Sequence, residues 1–479
     1  MKSNLRQLYR HSLTLLTDLY QLTMAYGYWH NQVHEREAVF HLFFRKHPFG
    51  GKYSISCGLE MVVEYLQDFK FEVDDIQYLG RLKGSDGKAL FNESFLNYLQ
   101  RMEFRCDIEA LPEGTAVFPH QPIIRVKGPL IQAQLIETAL LTIINFQTLI
   151  ATKAARISAA AQNDSVLEFG LRRAQGIDGG ISASRAAYIG GCNATSNVLA
   201  GKLYGIPVKG THAHSWVMCH ENELTAFENY AEAMPNNCVF LVDTYNTIEG
   251  VRKAIEVGKQ LKERGFDLLG IRLDSGDLAD LSIKARILLD EAGFENAAIV
   301  ASDSLDEYEI KRLKAKGAKI SIWGVGTRLS TAYDQPALGG VYKLAALKDE
   351  KGNWDYKMKL SNTPMKVSNP GILNVIRFYN EKEEPVGDLT IDETVEHSSI
   401  VKMYDETERD WSVFKSETLL KPIFKKGKYV YESPNIHETR ELAIQQRKAF
   451  SSFKDYYPTG LEKHLYDKKM QLLDNLTKK

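Results

Sequence analysis

Cysteine is scarce in this chain: five among 479 residues, Cys57, Cys106, Cys192, Cys219 and Cys238, with no CxxC pair. The odd number and the spacing argue against a disulfide framework and a thiolate zinc site, so buried thiols are expected. Net charge is lacking too. With 60 basic and 61 acidic residues the formal charge is −1, which gives no reason to expect nucleic acid or an anionic membrane as partner. No apolar run is long and clean enough for lipid. The most apolar stretch, residues 130–155, is interrupted by Gln132, Gln134, Glu137 and Asn145, whereas a membrane span needs about 20 apolar residues. A buried helix is expected there. The stretch MKSNLRQLYRHSLTLLTDLYQLTM has no apolar core followed by a small-residue cleavage site, so the expected location is cytoplasmic.

What is present is an ordinary globular composition, 44% apolar and 25% charged, in a chain of 479 residues. That length predicts two packed units. From about residue 160 to 345 one pattern recurs: short apolar runs end abruptly in polar or glycine residues, and most are followed by a helical pattern. The runs are SVLEFGLRRAQG, GIPVKGTHAHS, CVFLVDTYNT, DLLGIRLDSGD, AAIVASDSLD and AKISIWGVGT. Alternating strand and helix imply a parallel α/β sheet, open or closed into a barrel. In such a fold the six polar endings converge at the carboxyl ends of the strands and form one candidate site. The flanks read differently. VYKLAALKDEKGNWDYKMKLS and NVIRFYNEKEEPVGDLTI are hairpin patterns. The expected division is an N-terminal sandwich domain over 1–145, an α/β catalytic domain over 146–345, and a tail over 346–479 with β-hairpins and helices packing on the sandwich.

Each ending has chemistry of its own. In IRLDSGD, Arg272 and Asp274 alternate at a strand end and share a side, and Ser275 and Gly276 open a turn with free backbone N–H groups. Such a set suits an anionic, polyhydroxylated ligand, because a guanidinium forks carboxylate or phosphate and a carboxylate accepts from hydroxyls or holds magnesium. WGVGTRLSTA places Gly324, Gly326 and Thr327 where amides and a hydroxyl can hold phosphate. LEFGLRRAQG puts Phe169 at a strand end with Arg172 and Arg173 just beyond, a match for a flat anionic ring. In GTHAHS, His212 and His214 are expected to share one face of an extended strand. A two-histidine metal pair, a carboxylate-held catalytic histidine and a structural role all remain open there. Asp243, ending the next run, is the carboxylate expected to orient one imidazole.

Taken together, TDLYQLTMAYGYW, FRKHPFGG, EFGLRRAQG, ATSNVLAGKLYGIPVKGTHAHS, IRLDSGDL and GVGTRLSTA, in this order, closely resemble the nicotinate phosphoribosyltransferase family over nearly the whole chain. The resemblance implies a type II phosphoribosyltransferase-like irregular α/β barrel with an α+β sandwich domain, in a homodimer. It implies transfer of the phosphoribosyl group from phosphoribosyl diphosphate to nicotinate in NAD salvage, with Mg2+, and with ATP as co-substrate through a phosphohistidine at His214. By the same resemblance Tyr20, reaching in from a second subunit, and Phe169 sandwich the ring. Thr211 and Arg272 contact nicotinate, and Thr327 contacts the ribosyl diphosphate. By similarity to the related nicotinamide enzyme, Asp243 holds the phosphohistidine and Asp274 and Asp303 lie near the ribose; Arg45 and Lys46 of FRKHPF, from either subunit, are expected to contact phosphate. Ser196 stands where the related nicotinamide enzyme has an aspartate, and a neutral side chain there avoids repelling a carboxylate. Ala194 departs from the glycine that many members carry, which bears on local backbone shape. The rival readings are a nicotinamide-preferring phosphoribosyltransferase, a phosphate-binding barrel enzyme of another class, which would need a lysine or acid pair at a strand end, and a nucleotide sensor without turnover.

Overall fold

The computed structural model of the chain describes residues 12–359, 367–403, 407–453 and 456–477. Two compact units divide it: one comprises the chain up to Thr148, Ala337–Asn435 and the chain from Gln445, the other Leu149–Pro336 and Ile436–Ile444.

The second unit is built on six parallel strands: β1 (Ser165–Glu168), β2 (Ala194–Thr195), β3 (Val239–Leu241), β4 (Gly270–Leu273), β5 (Ala298–Ala301) and β6 (Ile322–Val325). They run in the order β2-β1-β6-β5-β4-β3, and every ladder between neighbours is parallel. The strand ladders end at β2 and β3, and the chain from Ile206 to His212 fills the gap. On one side Thr195 forms a parallel bridge with Val208. On the other, side chains close the ring: the Thr211 hydroxyl donates to Val239 O, and the Leu241 N–H donates to His212 Nε2 at 3.3 Å. The result is an irregular barrel with one seam stitched by side chains.

Helices alternate with the strands as the sequence pattern requires. Helix Thr247–Glu263 starts on Asn246, whose side chain accepts the Glu249 N–H, and buries Val251, Ala254, Ile255 and Leu261. Gly265, at φ +79°, turns the chain just beyond its end, a left-handed conformation that suits glycine. Burying each of the larger side chains stabilises by about 1.5–3 kcal/mol at most. The apolar stretch 130–155 is helical, divided into Leu130–Leu135 and Glu137–Ala161. Among the described residues no helix is long and apolar enough to cross a membrane.

The first unit draws strands from both ends of the chain. Gly340–Lys348 pairs antiparallel with Glu37–Phe44 on one side and Trp354–Tyr356 on the other. The second expected hairpin is present as Leu373–Tyr379 against Pro385–Asp392. Ile436–Ile444 groups with the barrel rather than with the rest of the tail. Its Arg440 Nε donates to Cys192 O at 2.9 Å, and His437 Nδ1 lies 2.8 Å from the Tyr188 hydroxyl. Four of the five cysteines are buried, as expected. Cys219 is the exception and is exposed, because it caps the short helix His214–Met218 at the surface.

Candidate active site

The polar endings of the strands meet in a cavity of about 540 Å³. Phe169, Arg172, Ser196, Thr211, His214, Arg272, Asp274, Asp303, Gly324, Gly326 and Thr327 all line it, together with Arg173, His212 and Ser302. Tyr20 does not line this cavity; it is 49% exposed on helix Leu19–His30 of the other unit. Arg45 and Lys46 also lie outside it. They follow strand Glu37–Phe44, and Arg45 Nε is buried without a hydrogen-bond partner.

Phe169 leaves β1 with its N–H bonded to Val325 O at 2.8 Å. Its ring rests against β6, which is possible because position 324 carries no side chain: a Cβ there would come within 2.7 Å of the ring. Behind Phe169 stands Glu168, 1% exposed. Its carboxylate accepts from Gly170 N–H, from Ser184 Oγ at 2.8 Å and from Thr195 Oγ1 at 2.6 Å, and its carbonyl accepts from Ser196 N–H. One buried acid therefore fixes the backbone on both sides of the ring pocket.

Arg272 and Asp274 both line the cavity, as their alternation predicts. Burial lowers the Arg272 pKa; Asp274 and Asp243 oppose that shift, and Arg172 adds to it. The guanidinium stays charged, yet its Nε has no hydrogen-bond partner. Asp243 is 9% exposed and just behind the cavity wall. Its Oδ2 accepts from Asp274 N–H at 2.7 Å and Ser275 Oγ at 2.8 Å, while its Oδ1 is buried without a partner. Asp274 Oδ1 in turn accepts from Ser302 Oγ at 2.5 Å.

The histidines separate. They do not share an extended strand: His212 belongs to the barrel seam and His214 opens helix His214–Met218. His212 receives the Leu241 N–H on Nε2, which leaves the proton on Nδ1, 3.4 Å from Ala213 O. Burial drives its pKa down to about 4. With Nε2 engaged by Leu241 and Nδ1 by Ala213, His212 serves the barrel seam, and the geometry gives the metal-pair reading no support. His214 Nδ1 sits 3.0 Å from Thr244 Oγ1, and its Nε2 faces Asp274 Oδ2 at 3.8 Å. The contact expected from Asp243 is made instead by its sequence neighbour Thr244 and by Asp274.

The sequence reading missed Glu168, Thr244 and Ser302. Ser275 it saw only as part of a turn. Each stands next to a residue the reading had singled out, so adjacency was the available signal. No group of three or more His, Cys, Asp or Glu side chains able to hold a metal occurs among the described residues. The donor set fits magnesium all the same, since this ion is commonly held through one or two carboxylates plus substrate phosphates and water, and Asp274 presents such a carboxylate to the cavity. The assembly suits a flat anionic ring beside Phe169 and the arginines, with hydroxyls and phosphates toward Asp274, Asp303 and the glycine loop.

Three family profiles match the chain: the nicotinate phosphoribosyltransferase (NAPRTase) N-terminal domain over residues 15–145, the NAPRTase family over 165–361, and the nicotinate phosphoribosyltransferase C-terminal domain over 373–454. The chain is 45% identical over 475 residues to nicotinate phosphoribosyltransferase of Bacillus subtilis (strain 168), covering 96% of this chain and 95% of that one. It is 36% identical over 431 residues to the Homo sapiens protein of that name, covering 78% of each. The crystal structure of human nicotinic acid phosphoribosyltransferase superposes with a TM-score of 0.82 at 30% identity, over 95% of this chain and 99% of that one. Nicotinate-nucleotide pyrophosphorylase from Pyrococcus furiosus, 23% identical, shares the fold with a TM-score of 0.69 over 91% of this chain and 96% of that one.

Proposed function

This chain belongs to the nicotinate phosphoribosyltransferase family, and on that premise we propose that it joins nicotinate to phosphoribosyl diphosphate in NAD salvage, coupled to ATP through His214. The observation that carries the reading is the convergence of Phe169, Arg172, Arg272, Asp274 and Thr327 on one cavity. The pyridine nitrogen lone pair forms the new bond to the anomeric carbon, and the carbon–oxygen bond to diphosphate breaks with its electrons leaving on the diphosphate. The products are nicotinate mononucleotide and diphosphate. Phe169 and the arginines hold the ring and its carboxylate so that the nitrogen meets the anomeric carbon in line. Asp274 and Asp303 accept from the ribose hydroxyls. The amide of Gly326 and the hydroxyl of Thr327 face the departing anion, where fixed donors lower the barrier most. Asp274 would hold magnesium, which when bound would supply charge neutralisation at the diphosphate.

In the ATP half-reaction a phosphorus–oxygen bond of ATP breaks, ADP leaves, and a nitrogen–phosphorus bond forms on His214; water later breaks that bond, releasing phosphate and restoring the imidazole. Thr244 engages Nδ1, which leaves Nε2 as the nucleophile. The added charge, about −1.5 to −2, reorganises the phosphate end of the cavity. The homodimer, with Tyr20 of the second copy over the free face of the ring, and a cytoplasmic location complete the proposal. Preference for nicotinate over nicotinamide rests on Ser196, a neutral side chain lining the cavity. A lysine-dependent barrel chemistry finds no support, since among the described residues no lysine lines the cavity.

The test measures nucleotide from nicotinate, phosphoribosyl diphosphate and magnesium, with and without ATP, in the wild type and in His214→Ala. The wild type is expected to gain from ATP, and the variant to keep only the ATP-independent rate. A folded variant that still responds to ATP removes His214 from the coupling.

A further inference from the structure

Two loops of the barrel unit reach the cavity from adjacent strands. Ser302, Asp303 and Ser304 follow β5, and Gly326 and Thr327 follow β6. Both loops hold unusual backbone: Ser304 has φ +41°, and Gly326 has φ −108° and ψ −106°. A non-glycine residue at positive φ persists where its surroundings over-determine it. Those surroundings are visible one step behind the lining residues. Arg328 Nη1 donates to Asp306 Oδ2 at 2.7 Å, and the Asp306 side chain is 4% exposed. The other Asp306 oxygen caps helix Glu307–Ala315, accepting from Tyr308 N–H at 3.0 Å and Glu309 N–H at 2.8 Å.

The pair is also braced. The Arg328 guanidinium stands 5.2 Å over the Tyr333 ring and 4.0 Å from Asp334 Oδ1. Asp334 Oδ2 meets Lys153 Nζ at 2.5 Å, and Lys153, fully buried, meets Glu307 Oε2 at 2.7 Å. This circuit runs from the end of one loop to the end of the other, and neither Arg328 nor Asp306 lines the cavity.

We propose that Arg328 and Asp306 are positioning residues: their ion pair clasps the 302–304 and 326–327 loops at the spacing that fits the ribosyl and diphosphate parts of one substrate molecule. The inference rests on the functional reading above. It assigns the clasp to phosphoribosyl diphosphate, because Arg172 and Arg272 follow other strands and Phe169 is tied to β6 at Gly324 and Val325, ahead of the clasped loop.

Steady-state kinetics of the full chain test it, with each substrate varied in turn, for Arg328→Gln, Asp306→Asn, the double variant and Arg328→Lys. Asparagine at 306 keeps the helix cap and removes the charge. KM for phosphoribosyl diphosphate is expected to rise about tenfold in either single variant, while KM for nicotinate stays within about twofold. The double variant should be no worse than the worse single one, since both changes break one contact. Arg328→Lys, which keeps the charge, should recover part of the loss, and it carries the test should a stronger change unfold the chain. Parallel rises in both KM values, multiplying effects in the double variant, or unchanged kinetics overturn the clasp. A wild type that makes no nucleotide overturns the functional reading and this inference with it, so the two failures are distinguishable.

Discussion

The molecule contains two arginine–aspartate neighbourhoods that differ in completeness. In the first unit Arg377 and Asp388 are 1% and 0% exposed and paired side-on, with two contacts of 2.8 Å. Arg377 also donates to Ala116 O and Gln446, and Asp388 accepts from Gln121 and Tyr457. The Phe450 ring covers the guanidinium at 4.8 Å. In the barrel unit Arg272 Nε and Asp243 Oδ1 are buried without hydrogen-bond partners. An unsatisfied buried polar group costs about 1–3 kcal/mol, and a fold tolerates that cost where a ligand supplies the missing contact. The closed network serves stability; the open one includes Arg272, which lines the cavity, and Asp243 just behind its wall.

The sharpest way to break this contrast is to remove one charge from each. Asp388→Ala should cost about 3–5 kcal/mol, because it strands a buried guanidinium, while the activity of the molecules that remain folded is unchanged. Arg272→Gln should lower kcat/KM by about 10²–10³-fold and leave the melting temperature within a few degrees. Denaturant titration and steady-state kinetics on both variants decide the matter, and a reversed pattern would end the distinction. A smaller effect is expected at Gly324→Ala. The added methyl meets the Phe169 ring at 2.7 Å, so the ring must shift and KM for nicotinate should rise about tenfold.

Acid sharpens the contrast from another side. Burial holds His41 at about 3 and His47, His120 and His212 at about 4, all below the ordinary value of 6.5. The unfolded chain binds protons that the fold excludes, so stability should fall as pH drops from about 6.5 toward 4, by about 1.4 kcal/mol per pH unit for each group. Replacing His212 by Gln should flatten its share of that decline, as measured by denaturation at two pH values. A slope unchanged by His212→Gln would contradict its neutral, structural role. The smallest effect belongs to Cys219→Ser. This exposed thiol should change stability by no more than about 0.5 kcal/mol, and a larger loss would mean that the helix carrying His214 depends on it.

The parallel α/β core was legible because apolar runs such as AIVA and helices such as Thr247–Glu263 carry their periodicity and caps locally. The hairpins around residues 349–353 and 380–384 were legible for the same reason. The cavity followed from topology: once the strands are parallel, Phe169, Arg272, Asp274 and Thr327 must end on one side. What escaped the sequence depends on contacts far apart along the chain. The seam that His212 closes against Leu241 spans 29 residues, and without it the two histidines look equivalent. The exchange of Asp243 for Thr244 as the partner of His214 turns on how the chain leaves β3, which no local pattern encodes. Glu168 looked like any strand residue until three donors converged on it.

The most direct test of the central claim is a competition: the purified chain with phosphoribosyl diphosphate, magnesium and ATP, offered nicotinate and nicotinamide together, with nucleotide products separated and diphosphate counted. The account predicts nicotinate mononucleotide as the dominant product, matched by equimolar diphosphate. Nicotinamide mononucleotide in excess, or no nucleotide from either ring, would contradict it.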